Sequence, residues 1–504
     1  MATPSQHAET SDSTVTLYNS TNHYQPWPHR EYKVYSRRWF VIFVVCIINM
    51  ANAMIWICFS PITNYTTAYY NINDTQVNWL SLIYVVATIP FGLLATWLLD
   101  TLGLRTSIIL AAWLNLVGSI FRNLTTYDFI PHDSKFPVLM FGQFLAACAQ
   151  PFIMFVPTKL AALWFPDTQR AIANTLASMA NPLGIMVANL IAPAIVKSVE
   201  DLPTLLWVCT GAAAFGTILA TFGVCSSTPP TPPSASAAEG TEPFFLGLKQ
   251  LLKVKSYWIL FMVFGCGLAL FTALTTFLEQ MLCPRGYSNS FSGLCGALLI
   301  VCGAVGAGVC GAIVDKTKRF EEVAKACYVV ALFGGIVFTE ISRYRDNEIP
   351  IAIAIGTFGF FGFGAYPVCM EMAVEITYPV AEATSSGLLF ISGQIQGVIY
   401  MVVAQFLTKP LPLAEQGLSN ACGTSGNATA EFIPQDWTVP GLFLDGVMTF
   451  FTIIFLLFFR PVYRRLLAER IAGDDKVLNQ TVETSDTGAY EQGIQEDERD
   501  GLHG

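Results

Sequence analysis

Twelve runs of about 20 apolar residues, each long enough to cross a bilayer as a helix, leave this chain few ways to fold. They begin near Trp39, Asn78, Thr106, Pro137, Ala171, Pro203, Trp258, Ser290, Lys325, Ile349, Val380 and Val439. In hydrocarbon every backbone N–H and C=O must find a partner within the chain, so runs of this length fold as helices. Composition agrees, since 53% of the 504 residues are apolar and 12% are charged, where a soluble domain carries about twice that charge. The expectation is an all-α membrane protein with twelve transmembrane helices in two six-helix halves.

The two halves show in a repeat. Asp100-Thr-Leu-Gly-Leu-Arg105 returns in altered form as Asp315-Lys-Thr-Lys-Arg319, each in a short polar loop between apolar runs and 315 − 100 = 215 residues apart. That spacing holds six helices and a linker. The pair resembles the loops between helices 2 and 3, and 8 and 9, of the major facilitator superfamily. The resemblance implies alternating access, with Asp100, Gly103, Arg105, Asp315, Lys316 and Arg319 as gating residues that lock neighbouring helix ends on the cytoplasmic side. Gly311 stands where the family places a glycine before the second carboxylate, and Thr96 departs from that pattern in the first. Either loop alone could be an ordinary solvated turn with one salt bridge.

Charge sets the orientation. With the N-terminus inside, the clusters Arg30 to Arg38, Lys249 to Lys255, Lys316 to Lys325 and Arg460 to Arg470 all fall on the inner side, as the positive-inside rule requires. Both termini are then cytoplasmic, in the plasma membrane or an organelle membrane. The sequons at Asn64, Asn73, Asn123 and Asn427 fall outside and are candidate glycosylation sites. Residues 1–36 read as a disordered cytoplasmic N-terminus without a cleavable leader. Residues 37–225 form the N-terminal bundle, 226–255 a linker opened by a Pro/Ser-rich stretch, 256–465 the C-terminal bundle and 466–504 an acidic tail.

Of 13 cysteines, most lie in apolar runs, where a thiol acts as a small hydrophobe. Cys283 and Cys422 would face an oxidising exterior, so a bridge between them stands beside the alternative of two free thiols. No HExxH, P-loop, GxSxG or CxxC motif occurs, and no metal site, cofactor, nucleic-acid partner or enzymatic activity is expected. The expected partners are a small-molecule substrate and the lipid bilayer, with the chain acting as a monomer.

A polar side chain facing lipid is costly, so amides at membrane depth must turn inward. Asn52 and Trp56 share a face of the first helix, Gln143 and Gln150 a face of the fourth, Asn181 precedes Pro182 in the fifth, and Gln394 and Gln396 lie among glycines in the eleventh. Helix-to-helix hydrogen bonding is the commoner role for any one of them. Near the midplane no Asp, Arg or His is expected, and Glu279, Glu340, Glu371 and Glu375 lie toward helix ends. This favours facilitated movement of a neutral or cationic solute, with an aromatic face such as Trp56 holding a cation.

The stretches Arg37-Arg-Trp-Phe40, Asn52-Ala-Met-Ile-Trp56, Asn78-Trp-Leu-Ser-Leu-Ile-Tyr84, Ala162-Leu-Trp-Phe165 and Ser385-Ser-Gly-Leu-Leu389 resemble the feline leukaemia virus subgroup C receptor family, solute carrier family 49, over about residues 30–470. The resemblance implies a carrier of choline or ethanolamine, with Trp56, Gln150, Asn181 and Gln394 matching the family's choline-site residues. Phe264 aligns with a Tyr of the seventh helix and lacks its hydroxyl, while Glu279 replaces an Asn. A haem or porphyrin exporter is the second carrier reading, against which no membrane-depth His or Tyr/Cys cluster offers axial ligands. A receptor or scaffold with a transporter fold is the alternative of another class.

Overall fold

The structure is a computed structural model that describes residues 33–233, 244–411 save 379 and 381, and 435–464 with 467. It carries twelve helices long and apolar enough to cross a membrane. In chain order the helices are α1 (Arg37–Ile57), α2 (Thr63–Tyr70), α3 (Asp74–Thr101), α4 (Gly103–Leu124), α5 (His132–Trp164), α6 (Asp167–Ile195), α7 (Leu202–Gly223), α8 (Phe244–Leu251), α9 (Lys255–Leu282), α10 (Asn289–Thr317), α11 (Phe320–Ile341), α12 (Glu348–Thr377), α13 (Glu382–Leu407) and α14 (Thr438–Phe458). The face that carries Arg37 and Phe458 is called proximal below, and the opposite face distal.

Each half is packed on the same plan. In the N-terminal half α1 lies on α6, α4 on α5, and α3 on α5. In the C-terminal half the equivalents α9 on α13, α11 on α12, and α10 on α12 recur. Small residues permit the matching approaches: a Cβ at Gly184 would strike Met50 and Ala53 of α1, and one at Gly393 would meet the Leu268 side chain of α9 at 2.5 Å. Close backbone packing of this kind replaces the hydrophobic effect as the force that holds helices together in lipid.

The halves meet through α6 on α10 and α3 on α13, the two equivalent pairs of a twofold repeat. Their hydrogen bonds gather at the distal face. Ser60 Oγ donates to the Thr275 and Thr276 carbonyls at 2.9 and 2.6 Å, and Asn289 Nδ2 donates to Asn64 Oδ1 at 2.7 Å. The distal face is therefore sealed in this conformation.

A lid that the apolar pattern does not announce completes that seal. After Ile57 the chain turns through a 3-10 segment, Ser60–Ile62, into α2, which stops at Asn71 in the left-handed region (φ 53°). Asn73 then caps α3 with a reciprocal bond set, its side chain accepting from Gln76 N–H while Gln76 accepts from Asn73 N–H, which satisfies two of the orphan groups of a helix start. At the other distal loop, Lys409–Pro410 and Gln435–Asp436 pair as a two-residue antiparallel ladder.

Burial sets two of the candidate sequons apart from the others. Asn64 is 5% exposed with its side-chain oxygen held by Asn289, and Asn123 is 2% exposed with Nδ2 donating to Thr210 Oγ1. A sugar on either nitrogen would have no path out of the packed interior, so both nitrogens are inaccessible in this fold. Asn73 is exposed, and Asn427 lies outside the described residues. Cys283 is disulfide-bonded, while Cys422 lies outside the described residues.

Candidate solute site and gates

Two contact points between the halves frame a level of the seam that separates them. Toward the distal side Val85 of α3 touches Gly397 of α13, a Cβ there lying 3.3 Å from the Val85 side chain. Toward the proximal side the Phe155 ring of α5 lies 3.9 Å from a Cβ at Gly92 and 4.0 Å from one at Gly387. Between these points α3 offers Thr88, α5 offers Gln150 and α13 offers Gln394. Thr88 Oγ1 donates to Gln150 Oε1 at 3.3 Å and to the Tyr84 carbonyl at 2.8 Å. Gln394 is half-buried and has no hydrogen bond among the described residues, so its amide remains available to a guest.

Gln396, two residues on, faces the other way. Its Nε2 donates to the Met262 carbonyl and Ser392 Oγ, both at 3.0 Å, and its Oε1 accepts from Tyr400 Oη at 2.6 Å. It is a strut between α9 and α13. Asn181 Nδ2 donates to Asn49 Oδ1 at 3.0 Å, and Asn49 Nδ2 in turn donates to the Ala177 carbonyl at 3.1 Å, which ties α6 to α1. Asn52, wholly buried, donates to Asn115 Oδ1 and the Ala146 carbonyl, each at 3.0 Å. Asn52 is thus engaged through its donor, while its buried Oδ1 has no hydrogen-bond partner.

Trp56 lies at the distal end of α1. Its ring NH donates to the Ser81 carbonyl at 3.1 Å and its ring lies 6.4 Å from that of Tyr84. Gln143 Nε2 donates to the carbonyls of Ile55 and Trp56 at 3.2 and 3.4 Å, which satisfies acceptors freed where α1 ends. Phe264 is not opposite Trp56. By helical rise Trp56 stands 56 − 37 = 19 residues, about 28 Å, from the proximal start of α1, and Phe264 264 − 255 = 9 residues, about 14 Å, from that of α9. Phe264 instead packs in the proximal core with Tyr366 and Phe390, at centroid distances of 5.5 and 6.2 Å. The aromatic residues of the C-terminal half that do pack against the Trp56 core are Phe271 and Phe363, in edge contact at 4.8 Å.

Charged side chains are buried near three helix ends. Arg122 sits in the last turn of α4, where a charge ordinarily reads as a loop flank, yet it is 1% exposed. Its Nη2 donates to Cys58 Sγ at 2.9 Å, its guanidinium lies 4.8 Å from the Phe59 ring centroid, and Nε and Nη1 have no hydrogen-bond partner. Glu279 and Glu375 are likewise buried, at 3% and 6%. Both glutamates lie toward helix ends, Glu279 at the distal end of α9 and Glu375 at the proximal end of α12, yet neither is solvated.

At the proximal face the loop of the first repeat turns at Gly103, whose φ of +81° suits glycine. The linker docks on it: Ser227 Oγ accepts from Arg105 N–H at 3.1 Å, and the Ser227 carbonyl accepts from Trp164 Nε1 at 3.1 Å. In the second repeat Lys318 takes the left-handed turn position, and Lys316 and Arg319 are exposed. The side chains of Asp100 and Asp315 lie outside the described residues.

Twelve spanning helices in two equivalent halves, meeting along a seam lined by amides, define a membrane transporter. The Major Facilitator Superfamily profile matches residues 45–401. Among solved structures, a D-xylose-proton symporter aligns with a TM-score of 0.61 at 13% identity, covering 84% of this chain and 99% of that one, which speaks for the fold alone. Solute carrier family 49 member A3 of Xenopus tropicalis is 45% identical over 443 residues, 87% of this chain and 90% of that protein. Choline/ethanolamine transporter FLVCR2 of Homo sapiens is 31% identical over 399 residues, 75% of this chain and 74% of its own. The chain belongs to solute carrier family 49 of the major facilitator superfamily.

Proposed function

We propose that this transporter carries a small cationic amine of the choline and ethanolamine class by alternating access, as a facilitative carrier. The observation that carries the reading is the framed level of the seam, where Gln150 and the unengaged Gln394 amide come from opposite halves. A quaternary or primary ammonium needs polarisable aromatic faces and neutral oxygen acceptors, with no competing cation. Arg122, the buried cation of the N-terminal half, is turned away onto Cys58 and Phe59. Trp56 with Tyr84 supplies an aromatic wall at the distal border of that level, Phe271 and Phe363 replace Phe264 as its counterpart, and Gln150, Asn181 and Gln394 supply polar contacts.

In this reading the termini are cytoplasmic, the protein sits in the plasma membrane, and the distal face is external. The sealed distal face then makes the present conformation one that does not admit solute from outside. The repeat loops around Asp100 and Asp315 serve as the proximal lock, with Gly103 and Ser227 fixing the first turn. Uptake of labelled choline, ethanolamine and an uncharged isostere, normalised to surface protein, tests the reading. Transport of the two amines with exclusion of the neutral compound supports it; no amine transport in any orientation overturns it.

A further inference from the structure

The distal seal contains an acidic pair, one residue from each half. Glu279 of α9 reaches into the other half, where its carboxyl accepts from the Thr63 side chain and the Asn64 backbone N–H. Asp74 opens α3 and acts electrostatically on Glu279. Both line one small cavity with Thr63, Gln280 and Trp437. Gln280, adjacent to Glu279 in sequence, makes the amide bonds that close the two halves over it.

The groups facing this pair are acidic or neutral. From α2 comes the Tyr65 hydroxyl, which feels both Glu279 and Asp201 at the start of α7. From the far loop come Gln435 and Trp437. Arg285, the cation on the same turn of chain as α9, is engaged by Asp436 Oδ1 at 3.1 Å and Thr438 Oγ1 at 3.4 Å. Asp74 occupies the first turn of a helix, where the dipole favours its ionised form. Glu279, 3% exposed, accepts two hydrogen bonds but stands in the last turn of α9, where the dipole opposes a negative charge.

We propose that the distal gate is proton-linked: sealing it places a proton on Glu279, and parting the halves releases that proton to the distal solution. Two carboxylates enclosed together without a cation cannot both keep their charge at modest cost, so the sealed state takes up the proton and the open, hydrated state does not. Acid then favours the sealed gate. That preference fades as the solution becomes alkaline. The gate so described deepens the proposed transport cycle and rests on it only for the identity of the distal side as external.

The test reads the gate directly. Fluorescent non-natural residues replace Phe129 and Tyr344, which are exposed on distal loops of opposite halves at 69% and 65%, and their separation is followed in nanodiscs from about pH 8 to about pH 5. In the wild type acidification shortens the distance. Glu279→Gln, which keeps the acceptor oxygen, stays sealed and loses the response. Asp74→Asn removes the neighbouring charge, so the response shrinks and the gate remains more closed at alkaline pH. A pH-independent distance in the wild type, or an unaltered response in Glu279→Gln, overturns the proposal. Absent amine uptake with an intact distance response would defeat the substrate reading and leave the gate standing.

Discussion

Asn78 and Gln280 hold each other across the two halves by a reciprocal pair of amide bonds, Asn78 Nδ2 to Gln280 Oε1 at 3.1 Å and Gln280 Nε2 to Asn78 Oδ1 at 2.6 Å. Both are buried. Replacing one partner strands the other in a dry seam at a cost of about 1 to 3 kcal/mol. Gln280→Ala should therefore shift the population toward a parted distal face, read as increased labelling of distal-seam positions from the distal solution. Asn78→Ala combined with Gln280→Ala should shift it by less than the sum of the single changes; strict additivity would mean that the pair does not act as a unit.

Trp56→Ala should weaken a cationic substrate by roughly 30-fold, the equivalent of about 2 kcal/mol for a desolvated cation over an indole. Trp56→Phe should retain part of that affinity, although it also forfeits the bond from the ring NH to Ser81. Competition binding with choline and its uncharged isostere separates the cases. Equal losses for both ligands would assign Trp56 to packing alone.

Arg122 and Cys58 form an asymmetric pair. Cys58→Ala leaves a buried guanidinium without its sulfur acceptor, a loss of about 1 to 3 kcal/mol, whereas Arg122→Met leaves only a thiol that is content among apolar groups. The thermal midpoint in detergent should fall further for Cys58→Ala than for Arg122→Met, and the double change should recover most of the Cys58→Ala deficit. A larger fall for Arg122→Met would reverse this assignment.

Asp436 lies outside the spans and is half-buried. Burial pushes its carboxyl up, but bonds from the Thr438 hydroxyl and N–H, at 2.6 and 3.0 Å, together with Arg285, hold it below the usual carboxylate range. Its contribution is thus complete above the unfolded value of about 3.9 and lost as pH falls through the lower folded value. Asp436→Asn should be less stable than the wild type at neutral pH by about 1 kcal/mol or less, given its exposure. Melting curves of the two proteins should draw together as pH falls below about 3.9; a gap that does not narrow on acidification would remove the ionic component.

Glycan transfer in a eukaryotic host should depend on Asn73 or Asn427 and be indifferent to Asn64 and Asn123. An endoglycosidase shift that survives Asn73→Gln with Asn427→Gln but disappears in Asn64→Gln would contradict the burial of Asn64 beneath Asn289.

The spanning helices were legible because length and apolarity alone decide them: the expected starts at Trp39, Trp258 and Val439 fall within three residues of the observed Arg37, Lys255 and Thr438. What stayed hidden depended on neighbours distant in sequence. Thr63–Tyr70 is too polar to read as a membrane helix, and its place is set by contacts to α9. Gln394 and Gln396 look alike in the chain, yet positions two apart on a helix point to nearly opposite sides, so one faces the seam and the other ties α13 to α9. The burial of Arg122 is not written in the chain, because a charge in the last turn of a helix carries no mark of what packs on it. Phe264 was carried to the site by alignment, and only depth along α9 separates it from Trp56.

Where α6 meets α10, a Cβ at Gly296 would lie 2.7 Å from the Asn189 side chain, and one at Gly293 would collide with the Asn189 carbonyl. Bare backbone on α10 thus makes the contact smooth as well as close. Interlocked side chains would have to lift out of their sockets before two bodies could tilt apart; a surface without knobs can slide and unclasp in small steps. A machine that must seal tightly yet disengage thousands of times benefits from a joint with so little to catch on.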